Sequence, residues 1–156
     1  MAEIHLTEAE APPRESLLFG VAAILPLLAF AAGAWLLPFA WLPLVVALGV
    51  VWGAAILIFL AGVRRGLSFR TPGGTRPSQL ATMLWLFLAG LLALASPWPA
   101  PALLLLILGY GSLALLDPMA ARRGEAPPFL GRLRPVQMAV GLLCLLALLL
   151  RVMLVA

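Results

Sequence analysis

From residue 17 onward the chain reads as five long apolar blocks separated by short polar or proline-rich breaks. The blocks fall at residues 17–37, 42–63, 80–95, 101–116 and 136–156, the third starting nearer Ser78. Inside hydrocarbon no water satisfies backbone N–H and C=O groups, so each block must be a helix or a strand of a closed barrel. Barrel strands alternate apolar and polar residues, and runs such as Leu103 to Ile107 do not alternate. The pattern therefore predicts an all-α membrane protein, a bundle of five transmembrane helices forming one domain over 17–156. At 1.5 Å per residue the first, second and fifth blocks cross a hydrocarbon core of about 30 Å. The third and fourth are short for that distance, so they thin the bilayer locally, extend into the interface, or form a re-entrant hairpin.

The breaks between blocks differ sharply in charge. The second break carries Arg64, Arg65, Arg70 and Arg76, and the fourth carries Arg122, Arg123, Arg132 and Arg134. The other two, residues 38–41 and 97–100, carry none. Short arginine-rich loops stay on the cytoplasmic side, which predicts a cytoplasmic N-terminus and a periplasmic C-terminus. Trp35, Trp41 and Trp98 then gather at the outer face, where indole rings sit among headgroups, and Arg151 snorkels outward from the last turn. Residues 1–16 are polar and acidic, with Glu3, Glu8, Glu10 and Glu15 against Arg14, and read as a disordered cytoplasmic tail. A cleaved signal peptide is the rival reading for this end, but such a segment starts basic and has a shorter apolar core.

Composition sharpens this picture. The chain of 156 residues is 64% hydrophobic and 10% charged, against roughly half and a quarter in soluble domains. Its formal charge is +4, and every cation apart from His5 is arginine, a skew that suits a GC-rich bacterial genome and so a bacterial inner membrane. A basic balance often points to nucleic acid, but arginines that flank spans are better explained by topology and lipid headgroups. The one cysteine, Cys144, lies deep in the last block, where a thiol is inert and has no partner within the chain.

Templates for chemistry fail one after another. His5 is the sole histidine and lies in the tail, so histidine-metal clusters, haem ligation and histidine-based triads have no material. Gly73-Gly74 is followed by Thr75 rather than the lysine of a phosphate-binding loop, and reads as a turn. Asp117 is the one acid at the edge of an apolar block. Membrane carboxylates often mark ion or proton paths, but this one stands before Pro118 with Arg122 and Arg123 close behind. A local ion pair or a kinked helix end is the plainer account. No cofactor is expected.

Two features concern packing and symmetry. Gly49 with Gly53, and Gly62 with Gly66, form small-xxx-small pairs on the second block, which predicts close helix contact within the bundle. Trp52-Gly53 and Arg64-Arg65-Gly66 reappear at one common spacing as Tyr110-Gly111 and Arg122-Arg123-Gly124, which hints at a repeated hairpin. The plainer reading is that any two membrane hairpins share such landmarks by chance.

The segment EAPPFLGRLR, residues 125–134, is the most distinctive. Two prolines break the helix, Phe129 and Leu130 dip into the interface, and Arg132 and Arg134 face headgroup phosphates or simply set topology. This segment completes a pattern with LFGVAAILPLLA near Gly20 and Pro26, ILIFLAGVRRGLSF with Phe59, Gly62 and Gly66, and LALLDPMAARRGEAPPFLGRLR from Asp117 to Arg134. The pattern resembles the transmembrane-protein-69-like family, the domain-of-unknown-function family 3429, over residues 17–150. Members carry a His-Trp-Gly-like end where this chain has Arg64-Arg65-Gly66, and an aromatic pair where it has Phe129 alone. The resemblance implies a small multi-pass protein of an inner or organellar membrane, and no reaction.

Three function classes follow. The leading one is a non-catalytic accessory or scaffold protein contacting lipid or a larger membrane complex. A small transporter or channel is the alternative, and a membrane enzyme is disfavoured because acids, bases and ligands at one depth are missing. Anionic lipid is the expected partner of Arg64, Arg65, Arg122, Arg123, Arg132 and Arg134, and nucleic acid is not expected.

Overall fold

Long apolar runs bounded by prolines fold as helices that start where proline is tolerated. The computed structural model describes residues 14–69, 74–122 and 128–155, with the side chains of 14–19, 121 and 128–133 outside the description. Five α-helices account for nearly all of it: α1 (Arg14–Leu36), α2 (Leu42–Ser68), α3 (Pro77–Ala95), α4 (Pro99–Arg122) and α5 (Pro128–Val155). No strand occurs among the described residues. Helices α3, α4 and α5 open on Pro77, Pro99 and Pro128, and α2 carries Pro43 in its first turn. Proline has no N–H to lose there and its φ is already helical. At α3 the Arg76 N–H donates to Gln79 Oε1 at 3.0 Å, closing one open donor of the first turn.

The helices are longer than the apolar blocks alone indicate. Helix α1 begins at Arg14, so the last three residues of the expected tail are helical, while 1–13 lie outside the described residues. Helices α3 and α4 have 19 and 24 residues, about 28 and 36 Å, and α4 runs through Pro118 instead of ending there. A re-entrant hairpin is thus not needed to fit either one. Among the described residues four helices are long and apolar enough to cross a membrane, and the apolar part of α1 with described side chains, Gly20–Leu36, is shorter. The segment expected as a break before the fifth span is instead the opening of α5, with Pro135 inside the helix.

Helix α2 packs against each of the other four, and α1 and α4 pack on α5. The core is made of leucines such as Leu27, Leu57, Leu86, Leu106 and Leu145, interleaved with buried Ala54, Ala61, Ala89 and Ala93. Small residues let backbones approach, the dominant device where lipid is as apolar as leucine. Gly90 shows it best: a Cβ there would lie 2.7 Å from Ile58 and 3.1 Å from the Ala54 carbonyl oxygen. The outer surface carries exposed Leu28, Val51, Phe59, Leu91, Leu108, Leu143 and Leu150 along every helix. A continuous apolar exterior of this kind suits hydrocarbon and not water.

One end of the bundle holds the exposed Trp35, Trp41 and Trp98. Arg151 lies here too but does not reach outward as expected. Its Nε donates to the Ala34 carbonyl at 3.0 Å and its guanidinium lies 5.6 Å over the Trp35 ring. Ala34 is in the last turn of α1, where carbonyls lack helical partners, so the cation is better satisfied inward. The opposite end carries the arginines.

Candidate functional site

Asp117 on α4 is held by arginines from two other helices. Arg64 on α2 donates to its Oδ1 twice, from Nη2 at 2.6 Å and Nε at 3.1 Å. Arg134 on α5 brings Nη1 to 3.6 Å from Oδ2, an ionic contact beyond hydrogen-bond reach. The three side chains are only 12–14% exposed. The cluster joins three helices, and with two guanidinium groups against one carboxylate it keeps a net positive charge. Asp117 and Arg134 each directly precede a proline inside a helix, Pro118 and Pro135. A helix-interior proline removes a backbone hydrogen bond, so the ion pairs brace the helices where their own ladders are weakest.

Beside Arg134 a cleft of about 520 Å³ runs between α1, α2 and α5. Its walls include Ile24, Trp52, Ala55, Ile56 and Phe59, and Tyr110 and Met138 line it from α4 and α5. At the deep end the polar atoms are already satisfied: Trp52 Nε1 donates to the Ala23 carbonyl at 2.8 Å and Tyr110 Oη to the Gly53 carbonyl at 3.1 Å. At the arginine end they are not. Gln137, one helical turn from Arg134, has its Nε2 buried against Gly20 without a hydrogen-bond partner. The cleft thus grades from closed and apolar to open-handed and cationic.

The residues singled out from sequence divide accordingly. Asp117 and Arg64 meet, with Arg134 beside them. The expected local pairing of Asp117 with Arg122 is not formed, because the continuing helix carries Arg122 out to an exposed position. Arg65 turns to its own helix end, 3.4 Å from Ser68 Oγ and 4.2 Å over the Phe69 ring. Arg123, Glu125 and the side chain of Arg132 lie outside the described residues. Gly49 and Gly53 face Leu148 and Leu106, where a Cβ would come within 2.8 and 3.0 Å. Gly62 and Gly66 are corrected: a Cβ at either meets nothing within 4 Å, since both lie on the exposed face of α2, while Ala61 and Ser68 on the other face are buried.

Sequence reasoning missed Gln137, Tyr110 and Gly141. An uncharged polar residue inside the fifth block was the available signal for Gln137. Gly141 admits the Tyr110 ring, which a Cβ would approach to 2.8 Å; no motif marks Gly141, and the repeat spacing that marks Tyr110 is silent on this contact. Trp52 and Tyr110, matched landmarks of the hinted repeat, play unlike roles, one exposed and bonded to α1, the other fully buried and bonded to α2.

Among the described residues no group of three His, Cys, Asp or Glu side chains comes together to hold a metal. An all-helical bundle with an apolar exterior, four helices of spanning length and an internal ion-pair clamp has the architecture of a membrane protein. Within that class the chain belongs to the family described as "Protein of unknown function (DUF3429)", which matches residues 12–150. No curated protein and no solved structure matches the chain.

Proposed function

We propose that the chain is a non-catalytic accessory or scaffold protein of a bacterial inner membrane. It crosses five times, with the arginine-rich end and N-terminus cytoplasmic and the C-terminus periplasmic. The observation that carries this reading is the Arg64–Asp117–Arg134 cluster. A carboxylate hydrogen-bonded by Arg64 of one helix and in ionic contact with Arg134 of another is committed to holding the bundle together. Proton relays need a chain of titrating groups, and transport sites need polar side chains at mid-depth on broken helices. The mid-depth walls of the cleft are Ile24, Ala55, Ile56 and Phe59, which favours a scaffold over a transporter. Arginines at the same end, Arg65 and Arg122 among them, suit contact with anionic headgroups.

Mild-detergent purification with both proteins and lipids identified tests this. The reading expects a membrane protein partner at fixed stoichiometry with the full chain. Recovery without any partner, together with chain-dependent solute flux in vesicles, would favour a transporter instead.

A further inference from the structure

We infer that the cleft between α1, α2 and α5 is a binding site for one acyl chain of an anionic lipid, whose headgroup is held by Arg134 and Gln137. This deepens the proposed lipid contact by placing it inside the bundle's own groove.

Three observations converge. The first is charge. The three-membered cluster is a cation in excess, and Arg134 is its loosely held member, with one contact of 3.6 Å to Asp117. A guanidinium in that state has donors left for a phosphate or carboxylate oxygen. The second is an unanswered donor. Gln137 Nε2 is buried without a hydrogen-bond partner, and burying a donor unpaired is costly enough that partners are nearly always found. Gln137 and Arg134 are three residues apart on α5, so they share a face, and both line the cleft. A single anionic headgroup at Arg134 answers both once the Gln137 amide turns from its seat against Gly20 into the cleft.

The third is length and polarity. Along α2 the cleft extends from Trp52 to Val63, about 16 Å at 1.5 Å per residue. That is about half of a 30 Å hydrocarbon core, the depth of one leaflet. Its deep end offers no free polar atom, since Trp52 and Tyr110 spend theirs on the Ala23 and Gly53 carbonyls. An occupant must therefore be apolar over one leaflet's depth and anionic at one end. A free phosphate fits only the mouth, and a zwitterionic lipid brings its phosphate together with a cation of its own, so a net anionic headgroup offsets the excess positive charge better.

The test is native mass spectrometry of the full chain drawn from vesicles of equal phosphatidylglycerol and phosphatidylcholine, at low and high salt. Three variants accompany the wild type. Ala55→Phe fills the cleft from an exposed position on α2. Gln137→Leu removes the unpartnered donor without breaking any bond. Arg65→Gln/Arg122→Gln weakens the peripheral arginines alone. The site predicts one phosphatidylglycerol per chain that survives high salt. Its occupancy falls about tenfold in Gln137→Leu, the loss expected for a hydrogen bond to a charged group, falls at least as far in Ala55→Phe, which fills the acyl-chain space, and stays unchanged in the double variant. Equal retention of both lipids overturns the anionic assignment. Retention lost only in the double variant overturns the cleft and leaves the peripheral headgroup contact standing. No retained lipid in any sample overturns both.

Discussion

Asp117 Oδ1 accepts two hydrogen bonds from the guanidinium of Arg64, at 2.6 and 3.1 Å, across a sequence separation of 53 residues. The contact ties α4 to α2 at the arginine-rich end, and the 3.6 Å approach of Arg134 extends the tie to α5. With side chains only 12–14% exposed, removing the carboxylate leaves two cations close together with little solvent. Asp117→Asn should therefore destabilise the bundle by about 3 kcal/mol, the usual cost of orphaning a buried charge. In a double-mutant cycle with Arg64→Gln, the two losses should fall short of additive by about 1 kcal/mol or more. Reversible unfolding in detergent micelles measures both, and additive losses would show that the pair is not coupled.

Close packing at Gly53 gives a second expectation. Gly53→Leu drives a side chain into Leu106 and Leu145 and should cost about 1–3 kcal/mol. Gly62→Leu, on the same helix but facing open space, should change stability by less than about 0.5 kcal/mol. Melting both variants side by side checks the assignment of faces, and equal losses would contradict it.

Tyr110 is fully buried, and its hydroxyl bridges α4 to the Gly53 carbonyl of α2 at 3.1 Å. The Gly53 carbonyl lies mid-helix, so Tyr110→Phe removes a helix-to-helix bond without orphaning it. The cost should be about 0.6 kcal/mol, the average of measured interhelical bonds in membranes. A loss several times larger would mean that the ring itself shifts out of the notch at Gly141.

Fold class was readable because the five apolar blocks are long and uninterrupted, and lipid allows few alternatives for such runs. Element ends were not, because apolar content stops being informative at the interface. Leu115, Leu116 and the stretch beyond Pro118 look like a helix end, but the helix continues with Asp117 paired across to α2 and α5. The partner of Asp117 was hidden for the same reason. Arg122 is near in sequence, whereas Arg64 and Arg134 are near only once three helices share an end. Gly90 and Gly141 escaped because their neighbours are on other helices, while the Gly62 and Gly66 spacing attracted notice without any helix to meet it. Spacing motifs report which residues share a face and are silent on what that face touches.

In the proposed topology five crossings put the arginine-rich end in the cytoplasm and the two termini on opposite sides. The most direct test fuses a reporter active only in the cytoplasm to each end of the chain in turn, with accumulation checked by immunoblot. The N-terminal fusion should be active and the C-terminal one silent. Activity at both ends, at neither, or at the C-terminus alone would contradict it.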